Sequence, residues 1–318
     1  MAGVTTATPP PVDLRGSRRR LARERAIHVC FLVAGLSSLA ISVAIVGSLA
    51  GKSLEFLTNI DLGRLWTDPH RWAPRVGRYD LATLFMGSLI VTVVAMVVAA
   101  PLGLGAAIYL AEYAGARVRR LLKPILEMLA GIPSIVLGFF ATAWLGPEIV
   151  QRVLSRADVF SLAAAGLGVG VLVTPLVASV SEDAMRAVPS TLREASYGMG
   201  ARKLTTVMRV VFPAAISGVV AALILAASRA IGETMVVALA AGSIGDANFT
   251  SDPAHPGTTI TAAMAQLAVG TDQVAAGGGR GAGQAFNSLF FLGLLLFFVT
   301  LLLNLVGELF VRRVRERY

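Results

Sequence analysis

The sequence predicts an all-α membrane protein with six transmembrane helices. Composition is the first reason: 55% of its 318 residues are hydrophobic and only 15% are charged, with a mean hydropathy of +0.72, against roughly 45–50% apolar and about 25% charged for a soluble domain. The second reason is run length. A helix needs about 20 mostly apolar residues to cross a bilayer, and runs of that kind fall at 27–51, 81–111, 121–145, 159–180, 212–241 and 285–310. The third is the sidedness of the charge. If the runs alternate across the membrane, the outer segments hold only Lys52, Arg64, Arg71, Arg75, Arg78, Arg152, Arg156 and Arg280. Apart from Arg229, every other lysine and arginine falls on the inner side, which places both termini in the cytoplasm.

Taken in order, residues 1–26 carry Pro9, Pro10 and Pro11 and then six arginines, a composition that predicts a disordered basic cytoplasmic tail. Residues 27–50 form the first transmembrane helix; the charge-free run exceeds the roughly 7–15 residues of a signal-peptide core, so it reads as a retained span. Residues 51–80 make an extracytoplasmic loop whose Trp66, Trp72 and Tyr79 suit a membrane–water boundary. Residues 81–318 hold the other five spans, with an inner loop at 182–211. The stretch 258–269 is apolar but too short to span, and reads as a re-entrant or surface helix.

Several chemistries are excluded early. A single cysteine, Cys30, allows no disulfide framework, and three scattered histidines, His28, His70 and His255, offer no metal cluster. The glycine-rich run Gly277–Gly283 lacks the Gly-Lys-Ser/Thr ending of a phosphate loop and reads as a connector, and Gly103-Leu-Gly105 lies inside a helical apolar pattern rather than after a strand. The net charge of +9 is explained by topology without nucleic acid. No nucleophile or metal constellation points to an enzyme.

The fifth run contains Ser228-Arg229-Ala-Ile-Gly-Glu233-Thr234. An ionisable group costs about 2.5–3.5 kcal/mol at membrane depth on insertion scales, so it is expected to face protein or a wet cavity. Spacing of four residues puts Arg229 and Glu233 on one face of a continuous helix, one turn apart. Two readings stay open: a self-neutralising ion pair, or a substrate path in which the planar guanidinium binds an oxyanion. In the second, Glu233 repels sulfate but accepts a hydrogen bond from a protonated phosphate oxygen, while Ser228 and Thr234 add hydroxyl donors. Glu127 reads as interfacial, paired with Lys123 one helical turn away.

The inner loop is amphipathic. Ser190 is placed to cap a short helix that carries Glu194 near its start, Gly198 or Gly200 to end it, and a second helix to lead into Pro213. An amphipathic helix lying on lipid is the bland alternative.

Glu194-Ala195-Ser196, Gly200 and Val210-Val211-Phe212-Pro213 keep the register of the EAA motif of ABC importer permeases, which this loop resembles with Ser196, Val210 and Phe212 as departures. The resemblance covers roughly 81–311. It implies a type I importer permease (MetI-like) fold and a loop whose helices enter a cleft of a separate ATPase. This chain has no Walker A motif of its own, so no cofactor is expected on it, with ATP and magnesium on the partner. Arg229-Ala-Ile-Gly-Glu233-Thr-Met-Val-Val resembles the corresponding stretch of phosphate importer permeases, PstC-type subunits in particular; PstA-type partners more often read Gly-Glu-Thr-Ala-Pro there. Gly131-Ile-Pro-Ser-Ile-Val-Leu-Gly138 and Pro101-Leu-Gly-Leu-Gly105 are similar to the same subfamily. The resemblance implies inorganic phosphate as substrate with Arg229 and Glu233 in its path. Its implied partners are a PstA-type permease, a PstB-type ATPase dimer and a PstS-type extracytoplasmic phosphate-binding protein, all at an inner (plasma) membrane. Molybdate or sulfate is the alternative cargo, and a PstA-type subunit is the alternative identity within the same importer.

Overall fold

The structure, a computed structural model, describes residues 18–67, 71–242, 247–269 and 282–314. The first part of the basic tail and most of the Gly277–Gly283 run, Arg280 included, lie outside them. The chain divides into two compact units, 1–48 and 49–318. Helix α1 (Arg18–Thr58) begins in the first, where its described side chains are nearly all exposed. The segment expected to be disordered up to residue 26 is therefore helical from Arg18 onward, because an arginine-rich stretch abutting a long apolar helix extends that helix at little cost in propensity.

The second unit holds α2 (Arg64–Thr67), β1 (Arg71–Trp72), α3 (Leu81–Ile108), α4 (Ala116–Ala130), α5 (Ser134–Phe140), α6 (Gln151–Val153), α7 (Leu162–Arg186) and α8 (Ser190–Gly198). After these come α9 (Lys203–Thr206), α10 (Phe212–Ile231), α11 (Met235–Ala240), β2 (Ala247–Asn248), α12 (Ile260–Val269) and α13 (Ala282–Val314). Turns of π-helix extend α3 to Tyr113, join α5 to α6 and join α9 to α10. Among the described residues six helical runs are long and apolar enough to cross a membrane: Ala22–Thr58, Leu81–Tyr113, Ser134–Val153, Leu162–Arg186, Lys203–Ile231 and Gly283–Arg313.

Two of these differ from the expected runs. The stretch 121–145 is split, because Gly131 and Pro133 stop α4 and the span starts at Ser134. The stretch 212–241 is split too, with the helix ending at Ile231. Start signals are local. Asp80 caps α3, accepting hydrogen bonds from the Ala82 amide at 3.0 Å and the Thr83 hydroxyl at 2.7 Å, and Ser161 caps α7 through the Ala164 amide at 3.2 Å. Hydroxyls inside the spans turn back on their own helices, as Thr92 does to the Ser88 carbonyl and Thr174 to that of Gly170, both at 2.7 Å.

The most enclosed span is α7. Val169, Val173 and Val177 are fully buried among Val91, Ala95 and Ala99 of α3, Leu137 of α5 and Ala226 and Ala230 of α10. Without a hydrophobic drive between helices in lipid, close approach of small residues supplies the packing. A Cβ on Gly103 would come within 2.6 Å of the Val177 Cβ, and one on Gly166 within 2.6 Å of the Val94 Cβ. Gly103→Leu is expected to destabilise the purified protein by about 1–3 kcal/mol of overpacking, seen as a lower thermal midpoint, whereas Gly105→Leu, with nothing within 4 Å of its would-be Cβ, leaves the midpoint in place. Equal midpoints for the two variants would refute this packing account.

A second cluster gathers Phe56, Leu65, Trp72, Tyr79, Leu84, Ile260 and Leu292. Here β1 and β2 pair antiparallel, Arg71 opposite Asn248. Trp72, expected at a membrane boundary, is instead buried edge-on against Tyr79, with ring centroids 5.7 Å apart. Burial pushes the Tyr79 phenol up to about 12. The short apolar stretch at 258–269 does form a helix, α12.

Candidate substrate path and coupling face

Helix α10 stops where three residues, Gly232-Glu233-Thr234, intervene before α11. Gly232 closes the helix in right-handed backbone, its amide turned back on the Ser228 and Ala230 carbonyls, and the carboxylate that follows caps the next helix, so one apolar run becomes two elements. The Glu233 Oε1 accepts hydrogen bonds from the amides of Met235 at 3.1 Å and Val236 at 3.4 Å. Its negative charge thus sits at the N-terminus of α11 and not beside Arg229. Among the described residues Arg229 makes no ion pair or hydrogen bond, and it lies exposed in the last turn of α10. The break removes the one-turn register expected for a continuous helix, and with it the self-neutralising pair.

The two hydroxyls of the group separate as well. Ser228 donates to the Asn304 Oδ1 on α13 at 2.9 Å, a bond between helices. Thr234 lines an apolar cavity of about 380 Å³ together with Gly232, Thr261, Met264 and Phe290, and Arg229, Glu233 and Ser228 are not among its lining residues. From α12, Thr261 donates to the Glu233 carbonyl at 2.6 Å and so fixes the broken segment. Arg229 therefore presents its guanidinium on the same unpartnered stripe of α10 as Ala221 and Leu225, four residues apart along the helix.

At the far end of the same helical run, α7 is followed by α8, a turn at Gly200 and then α9. Pro189 occupies the cap position of α8 and Ser190 is its first residue, so the expected serine cap is not formed. Gly200 has φ +77°, a left-handed conformation that costs other residues roughly 1–2 kcal/mol. The Ser196 and Thr206 hydroxyls meet at 2.8 Å and close the loop on itself. Glu194 and Ala195 stay exposed, with Tyr197 and Met199 beside them. Phe212 packs half-buried with Ala107, Met185 and Val219. Pro213 has no amide to donate; just before it the Phe212 amide reaches back five residues to Val207, a π-turn that absorbs the irregularity.

A family described as binding-protein-dependent transport system inner membrane component matches residues 99–317. The chain belongs to that family. The probable ABC transporter permease protein YqgH of Bacillus subtilis is 35% identical over 190 residues, and the match covers 60% of this chain and 59% of YqgH, so the chain spans under two thirds of that relative. Phosphate transport system permease protein PstC 1 of Mycobacterium tuberculosis is 31% identical over 254 residues, 74% of this chain and 73% of that one. A chain of the inward-facing MetNI methionine ABC transporter superposes with a TM-score of 0.50 at 22% identity, covering 74% of this chain and 94% of its own. That likeness establishes the fold, a type I importer permease.

Two features of this permease had no local signature in the sequence. Arg193 of α8 donates from Nε and Nη2 to Glu112 Oε1 at 3.1 and 2.9 Å, and also to the carbonyls of Val188 at 2.7 Å and Met185 at 2.8 Å. It fastens the permease's exposed helix to the end of α3 and closes the last turn of α7. Lys203 adds a cation–π contact, 4.9 Å from the Tyr113 ring. The second feature is Lys123, which pairs not with Glu127 but with Glu182 at 2.7 Å and with Asp183. Glu182 is fully buried, and a buried carboxylate takes the available cation more strongly than an exposed neighbour does. Burial pulls the Lys123 ammonium down, but its hydrogen bonds to Asp183 and Glu182 outweigh that and leave it above the ordinary lysine value. A raised lysine pKa means the contact is complete at neutral pH and is lost only as pH climbs through the lysine range. The signal available in sequence for the helix break was Gly-Glu-Thr itself, a stop followed by a capping group.

Proposed function

We propose that this permease is the PstC-type membrane subunit of an ATP-driven importer of inorganic phosphate. The observation that carries the reading is Arg229: a permanent cation in the last turn of a spanning helix, unpaired among the described residues, on a stripe that no other described element covers. A desolvated guanidinium without a partner is unfavourable, so that stripe is matched to a second permease of PstA type enclosing a path, and the guanidinium to a phosphate oxygen pair inside it. The likeness to PstC 1 supports the choice of substrate. Both termini and α8 lie on the cytoplasmic side, where α8 with exposed Glu194 engages a PstB-type ATPase dimer that holds ATP and magnesium. A PstS-type protein delivers phosphate to the opposite face.

Transport follows as alternating access: ATP-driven closure of the ATPase moves α8, α7 and α10 respond, and the Arg229 stripe opens to one side and then the other. The chain breaks no covalent bond. With Oε1 engaged on the α11 amides, the second oxygen of Glu233 selects protonated phosphate over sulfate or molybdate by accepting a hydrogen bond from its proton, while the carboxylate repels oxyanions that carry no proton to donate. Glu233→Gln retains an oxygen to cap α11 but removes the charge, so competition assays on reconstituted transporter are expected to show sulfate becoming a better inhibitor of phosphate uptake. An unchanged preference would remove Glu233 from the selection step.

A further inference from the structure

Helix α4 joins the end of one spanning run at Tyr113 to the start of the next at Ser134 through short links. It is thereby held at the level where both runs leave the apolar layer, and its 15 residues, about 22 Å, are too short and too basic to cross. Lys123, tied to Glu182 and Asp183, turns one edge of the helix toward α7. The opposite edge is apolar and free: Val118, Leu121, Ile125 and Met128 recur at helical spacing and are exposed, Leu121 by 65% and Met128 by 67%. Between these two edges Arg117 and Arg120 stand one turn apart, with Glu127 two turns beyond Arg120, and neither arginine makes an ion pair or hydrogen bond among the described residues.

We infer that α4 lies in the membrane surface, its apolar edge among the acyl chains and its Arg117 and Arg120 on the phosphates of anionic phospholipid headgroups. An apolar strip flanked by free guanidinium groups is the pattern of an interfacial helix, and planar forks suit phosphodiester oxygens. A protein interface would take the strip but leave the two cations without counter-charge; an anionic leaflet supplies both. The inference needs only that the chain spans a bilayer, so it stands or falls apart from the phosphate reading.

The test uses the full transporter with Cys30→Ser and a fluorophore attached at Leu121→Cys or Met128→Cys. It is reconstituted in phosphatidylcholine vesicles containing phosphatidylglycerol, with a nitroxide quencher near the headgroup of one lipid or the other. Quenching is expected from both, and about fivefold more per molecule from phosphatidylglycerol for each arginine engaged; Arg117→Gln with Arg120→Gln removes that preference while quenching persists. Absence of quenching overturns the inference, as does shielding that appears only when the second permease is present, which would make the strip a protein interface. A headgroup preference unchanged in the glutamine variant overturns the role of the arginines.

Discussion

Arg229→Ala is expected to reduce phosphate uptake by the assembled transporter by about 30- to 1,000-fold. Hydrogen bonds to a charged group contribute about 1.5–3 kcal/mol each, and a bidentate guanidinium offers two; withdrawn from a dehydrated path, about 2–4 kcal/mol is a conservative loss, at tenfold per about 1.4 kcal/mol. The variant is a clean one because Arg229 holds no partner within the described fold, and substitutions away from packed or paired features usually shift stability by less than about 0.5 kcal/mol. Arg229→Lys should fall between, keeping the charge and losing the fork. Removing Glu233 as well should restore nothing, since the Glu233 carboxylate caps the Met235 and Val236 amides. Radiolabelled phosphate uptake into vesicles, with subunit content checked for each variant, decides the matter. Recovery of uptake in the double variant would reinstate the self-neutralising pair and end the substrate role.

Arg193→Ala is expected to uncouple the transporter. The Glu112 side chain is only 5% exposed and its cation partner 19%, so truncation strands a nearly buried carboxylate and frees the carbonyls of Met185 and Val188 together. Breaking a buried pair from one side costs about 3–5 kcal/mol; with Arg193 partly in water, about 2–3 kcal/mol is the expected loss. Because the loss falls on the joint between α8 and α3, ATP hydrolysis should persist while uptake drops. Arg193→Met combined with Glu112→Met should recover much of the stability, since an apolar pair of similar volume replaces an ion pair at little cost. A double-mutant cycle showing less than about 0.5 kcal/mol of coupling between the two positions would show that the joint carries no load.

Much of this architecture was legible because lipid leaves the backbone few options. Runs of about 20 apolar residues are forced by the hydrocarbon layer, and all six surfaced in the sequence, as did the short α12 and the helix–glycine–helix form of the 182–211 loop. Where the reading failed, a tertiary or capping term outweighed hydropathy. The third span was placed early because α4 presents an apolar edge that merges with the span across Gly131-Ile132-Pro133. The break at Gly232 was hidden because Met235–Ala240 is as apolar as the helix before it. Lys123 was assigned to its neighbour one turn away because sequence shows local partners, whereas Glu182 lies 59 residues off. At the candidate site the structure separates the residues that the sequence groups: Ser228 joins α13, Thr234 faces a cavity, Glu233 caps a helix, and of the four Arg229 is left without a partner among the described residues.

The π-turn at Val207–Val211 makes α10 a lever. From Val211 to Arg229 the helix rises by about 27 Å, with Pro213 just above the turn removing one backbone tie. A tilt of about 10° at that pivot sweeps the Arg229 end through about 5 Å, more than a hydrogen bond can follow. On the proposed phosphate reading, small rotations imposed at the loop would therefore be enough to make and break contact with an anion at the other end of the rod.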